Sequence, residues 1–220
     1  MTTPVDICNV ALAHIGHKAT VASIDPPEAS VEAEYGALFW PSVRRSTLSS
    51  HSWGFATERA SLASLAVTPP TPWTYAYPMP SESIRFLGVK EPNASDDIPF
   101  SDARVGRQAN QSVIYTDVEN AVAIYVADVT DTQLYTGELI TACEYLMAAK
   151  YAGPIIKGAE GVNVARAMTE MGMYHLNEAK RIDAAQTQNS DVTSPSTYKA
   201  GHLQARGIST VTADAKIVRS

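Results

Sequence analysis

Cys8, His14 and His17 fall within one short stretch, and thiolate and imidazole are the donor types of a zinc site. On a helix, however, Cys8 and His14 point to different faces, so this spacing does not gather three ligands. His14 and His17 alone share a face and read as solvated or capping histidines. Serine, cysteine, histidine and acidic residues are all present, yet no G-x-S-x-G turn holds a nucleophile. There is no phosphate loop and no G-x-G-x-x-G, and Gly153, Gly158 and Gly161 lie between helical patterns rather than after a strand. The expectation is a chain that is not an enzyme and holds no cofactor or metal.

The other residues with chemistry to offer are cations and aromatics. Arg44 and Arg45 stand on a helical pattern with Glu32 and Glu34, which reads as a salt-bridged or solvated face. Arg104 and Arg107, with Gln108 and Asn110, fall in a polar stretch expected to be a loop of a β-region, where they would face nucleic acid only if the chain lined a pore. Trp53, Phe55, Trp73, Tyr75 and Tyr77 have the chemistry of a stacking platform for bases or sugars. Their place beside helix ends and strand starts makes shared core at a helix–sheet junction the better reading, with Arg59 beside it. The platform reading would instead make the chain a non-enzymatic binding module for a carbohydrate or peptide.

The elements that must position these residues follow from periodicity. A chain of 220 residues is long enough to bury a sizeable core. Its net charge of -6 argues against gripping nucleic acid by bulk positive charge. No basic stretch runs into an apolar one, and no run approaches the roughly 18 apolar residues that span a bilayer. A cytoplasm-like compartment with no membrane partner is expected, and Cys8 and Cys143 read as buried hydrophobes. Thr3-Pro4-Val5-Asp6 predicts a capped helix over about 4–15. Asp25-Pro26-Pro27-Glu28 predicts the start of a second, kinked at Pro41, in the long helical pattern of residues 28–65. From Pro69 the pattern alternates, predicting four to six strands between about 71 and 130, with a hairpin across Asp117–Asn120. Thr136 caps a third helix that Gly153-Pro154 should end. The fourth covers about 160–187 with Ala165, Met168, Gly172, Leu176, Ala179 and Ile182 on one face. The fold class is α+β: helices from 1–68 and 132–187 form a four-helix bundle, and 69–131 form an inserted antiparallel barrel or sandwich. Residues 188–220 are a polar, mildly basic arm whose sparse Tyr198, Leu203, Arg206, Ile208, Val211, Ile217 and Val218 would dock outside the subunit.

Three segments resemble one family. ICNVALAHIG at 7–16, YGALFWPSVRRSTLSSHSWGFATERASLA at 35–63 and WTYAYPMPSESIRFLGV at 73–89 are similar to the head-to-tail adaptor of short-tailed phages, also called tail tubular protein A. IYVADVTDTQLYTGELITACEYLMAAKYAGPI at 124–156 and HLNEAKRIDAAQ at 175–186 look like its last strand with third helix and its fourth helix end. Met79 and Ser81 depart from the family's usual Leu-Pro-Asp turn. The resemblance implies a homo-oligomeric, dodecameric ring beneath the portal protein, carried in the virion tail and assembled in the host cytoplasm. A distal nozzle protein would bind it, and DNA would pass through without sequence-specific binding. It further implies that the arm contacts the portal or a neighbour; in such a ring Arg104 and Arg107 are the candidates to face the lumen.

Overall fold

The computed structural model describes residues 2–191 apart from 19, 96 and 109. Helix α1 covers Pro4–His14 and starts as the local chemistry dictates. The Thr3 hydroxyl accepts from the Asp6 amide at 3.2 Å while the Thr3 amide donates to Asp6 Oδ2 at 2.8 Å. Helix α2 covers Val31–Ser49 with Ser30 as its N-cap, and it runs through Pro41. It therefore begins later than the Asp25-Pro26-Pro27 start that the sequence suggested; Ile24 and Pro27 instead pair in a small bridge. Helix α3 covers Gly137–Ile156 behind the expected Thr136 cap. Pro154 does not end it, because a proline in the last turn forfeits one hydrogen bond and the helix stops only at Lys157, where φ turns to 62°. Helix α4 covers Gly158–Asp191.

Six strands form two antiparallel three-stranded sheets. They are β1 (Thr57–Ser61), β2 (Tyr75–Pro78), β3 (Ser83–Lys90), β4 (Ala103–Gln108), β5 (Gln111–Thr116) and β6 (Val122–Ala127). One sheet has the order β1-β6-β3 and the other β2-β5-β4. The fold is α+β, with these sheets and four α-helices among the described residues. Three expectations need correction. Thr57–Ser61, read as a continuation of helical pattern, pairs with β6 from Thr57↔Val126 to Ser61↔Val122, so the sheet begins before residue 69. TERAS carries no apolar stripe of its own, and the pairing decides its conformation. Next, β5 and β6 are not a hairpin: Asp117–Asn120 carries the chain from one sheet to the other. The hairpin is β4–β5, closed beside Asn110 at φ 65°. Finally, Arg104 and Arg107 lie on strand β4 rather than in a loop.

Burial shows how the layers stack. Val126 of β6 shares a core with the helices, together with Ile84 and Leu87 of β3 and with Leu12, Leu48, Trp53, Leu139 and Met147. Ala123, Tyr125 and Ala127, on the opposite face of β6, share a core with Tyr77 and Ile114 of the second sheet. Alternation along one strand thus feeds two cores, as the period of two demands. The outer face of the second sheet is covered by Leu65 and Trp73, packed on Ala76, Val113 and Tyr115. Helices, first sheet and second sheet make three layers, and Met1–Asp183 form one compact unit. A second unit runs from Ala184, and its described part is the end of α4.

Candidate functional site

The segment between α2 and β1 is built around Trp53, which is fully buried. Its Nε1 donates at 3.2 Å to the Thr47 carbonyl in the last turn of α2, which also accepts from the Ser50 amide at 3.2 Å and the Ser50 hydroxyl at 2.7 Å. Its ring meets His51 edge-on at 4.9 Å and Phe55 at 6.1 Å, and Phe55 continues to Tyr135 at 5.4 Å. Asp183 of α4 closes the corner: Oδ1 accepts from the Gly54 amide at 3.2 Å and Oδ2 lies 3.0 Å from His51 Nε2. Trp53 and Phe55 therefore sit where the helices hand over to the first sheet, as expected. Trp73 and Tyr75 do not belong to that junction. Trp73 covers the outer face of the second sheet, while Tyr75 stacks beside Tyr77 at 6.2 Å in the core between the sheets. The expectation of one shared aromatic cluster is corrected to three separate ones. Arg59 lies exposed on β1.

Arg44 and Arg45 form a salt-bridged face, but the acid is neither Glu32 nor Glu34. Arg44 holds Asp128 with two bonds, Nε to Oδ1 at 2.8 Å and Nη2 to Oδ2 at 2.9 Å. Arg45 adds Nε to Oδ2 at 2.8 Å. Burial by itself would raise the Asp128 carboxyl, but the hydrogen bonds and charges of the two arginines outweigh it and hold it below the ordinary carboxylate range. Arg44 and Asp128 are largely shielded, whereas the Arg45 side chain is 64% exposed. An open cleft of about 700 Å³ adjoins this triad. A second cleft, of about 520 Å³, has Glu91, Asp102, Asp117 and Glu119 on its walls.

The histidines that looked like metal donors have other employment. His14 stacks on Tyr145 at 4.3 Å, and Tyr145 stacks on His175 at 5.4 Å, linking α1, α3 and α4. His175 Nδ1 is 2.9 Å from Glu138 Oε2. His14 Nε2 is buried without a hydrogen bond, and burial lowers its pKa. His17 reaches Glu32 at 2.9 Å, tying the end of α1 to the start of α2. Among the described residues no group of three or more histidine, cysteine or acidic side chains has the arrangement to hold a metal. Both thiols are buried and unpaired. Burial raises Cys8 and pushes Cys143 up to about 12, so neither is held as a thiolate. No helix among the described residues is long and apolar enough to cross a membrane.

On β4, Arg104 and Arg107 are exposed, and Arg107 Nη2 donates to Asn110 Oδ1 at 2.7 Å. Gly106 between them lets the Tyr115 ring lie across the strand, since an added Cβ would stand 2.5 Å from its Cε2. The arm residues Tyr198, Leu203, Arg206, Ile208, Val211, Ile217 and Val218 lie outside the described residues. Sequence reasoning missed Asp128, Asp183 and Arg85. The available signal for Asp128 was its position directly after an apolar strand, which puts a carboxylate at the sheet's end. No family model matches the chain, and no curated protein matches it.

Proposed function

We propose that the chain is a structural adaptor of a short-tailed phage virion, joining head to tail. In this reading α1–α4 are the four-helix bundle of the adaptor, the two sheets are its distal part, and the chain beyond α4 is its arm. Twelve or so copies close a ring under the portal protein. The ring carries the distal nozzle protein, and DNA passes through its lumen past Arg104 and Arg107 without sequence-specific binding. Assembly takes place in the host cytoplasm, and the mature location is the virion tail. The chain works by contact rather than by catalysis.

The observation that carries the reading is the Trp53 corner. The longest family-like segment, residues 35–63, is also the segment in which α2 ends, the indole donates to the Thr47 carbonyl of its last turn, and the chain enters the first sheet. The sequence likeness thus coincides with a specific piece of architecture. The acidic chain, at net charge -6, agrees with a channel wall that does not retain DNA. The rival binding-module reading loses support because Trp73 is packed, half-buried, against the Ala76, Val113 and Tyr115 cluster. The test is to mix the purified protein with the portal protein encoded in the same genome and image the product by electron microscopy. A ring of added density on the portal's tail side is expected. Bare portals at saturating protein would sink the proposal.

A further inference from the structure

The cleft beside the Arg44–Asp128–Arg45 triad lies between the end of α2 and the start of β3; Arg45 lines it, and Arg85 adjoins it through its bond to the lining residue Ser49. Arg45 commits only Nε to Asp128, and its Nη groups make no hydrogen bond among the described residues on a side chain that is largely exposed. Arg85 commits a single donor, Nη1, to the Ser49 carbonyl at 3.3 Å. Ser81 and Ser83 line the cleft with hydroxyls that make no hydrogen bond among the described residues, while those of Ser46 and Ser49 donate to the Val43 and Ser46 carbonyls. Guanidinium forks and hydroxyls are the donors of choice for an oxyanion. Arg44 and Arg45 set two positive charges against the one carboxylate of Asp128, so the triad stays cationic.

Glu82, which also lines the cleft, selects among oxyanions. Its carboxylate repels a phosphate dianion about twice as strongly as a carboxylate, and a nucleic-acid strand would bring further negative charges onto an acidic protein. The same Glu82 accepts readily from a peptide amide. We propose that this cleft is a carboxylate-binding site that takes an aspartate or glutamate side chain of a partner polypeptide. The carboxylate lies between Arg45 and Arg85 with Ser81 and Ser83 donating, and the partner's adjoining backbone amide donates to Glu82. Asp128 acts as the positioning residue for Arg45. The site stands on these side chains alone and does not depend on the ring.

The test is a titration of the ¹⁵N-labelled full chain, followed by NMR, with the blocked tripeptides acetyl-Gly-Glu-Gly-amide and acetyl-Gly-Gln-Gly-amide and with inorganic phosphate. Saturable shifts at the amides of residues 46, 49, 81 and 83 and at Arg45 Nε are expected with the glutamyl peptide. The glutaminyl peptide should bind at least about tenfold more weakly, the loss expected for charge-assisted hydrogen bonds. Arg45→Gln should weaken glutamyl binding by a similar factor with the rest of the spectrum unchanged, because Arg44 keeps both of its bonds to Asp128. Arg85→Gln provides the independent second variant. Absence of saturable shifts, equal binding of the two peptides, tighter binding of phosphate than of the glutamyl peptide, or indifference to both substitutions would each overturn the assignment.

Discussion

At the scale of single residues, burial separates side chains that look equivalent in the sequence. Trp53 has no exposed surface and its indole nitrogen donates to the Thr47 carbonyl, whereas Trp73 is half-buried over a sheet face. Trp53→Ala should therefore cost about 3 to 5 kcal/mol, measured by urea denaturation, as a large core truncation; the Thr47 carbonyl keeps its bonds from the Ser50 amide and hydroxyl. Asp128 is the second sensitive position. Its folded-state pKa lies below the unfolded value of about 3.9, so its contribution is complete above about pH 4 and is lost as pH falls through the folded value. Asp128→Asn should lower stability at pH 7 and flatten the acid limb of the stability–pH curve. Denaturant midpoints collected from pH 7 down to pH 3 would check both, and an unchanged acid limb would assign the acid sensitivity elsewhere.

Elements were legible in proportion to how local their causes are. The Thr3 and Thr136 caps lie within a turn of what they cap, and both helices begin where these residues place them. The α4 stripe was legible too: Leu176 and Ala179 are buried, and Gly172 faces Leu146 of α3. Strand partnership was not legible. β5 and β6 are both apolar and separated by turn-forming residues, so local chemistry favours a hairpin, yet their partners are β2 and β4 for one and β1 and β3 for the other. The Arg44 clamp escaped for the same reason, since its acid is 84 residues away. Pro154 misled because a helix breaker in the final turn breaks little. A prediction belongs to the α3–α4 contact. A Cβ at Gly172 would stand 2.8 Å from Leu146 Cγ and 3.2 Å from the Leu146 backbone nitrogen. Gly172→Val should cost about 1 to 3 kcal/mol through overpacking, despite removing a helical glycine, and amide exchange should quicken along α4.

For the molecule as a whole, the proposed adaptor separates a folded body from a polar terminal segment with a different task. Deleting residues 192–220 should leave the melting temperature of the body within a few degrees of the full chain while abolishing attachment to the portal protein, as read by co-sedimentation. Full attachment by the shortened chain would show that the body carries the contact by itself. Within the body, β6 presents Val126 to the helices and Ala123, Tyr125 and Ala127 to the second sheet. A strand wetted on neither face cannot be withdrawn from one core without opening the other. The consequence is thermodynamic: residues 1–183 should unfold in one calorimetric transition, and a gene fragment carrying either the helices or the strands alone should yield an aggregating polypeptide. A seam that looks like an insertion on paper is, in free energy, a single cooperative block.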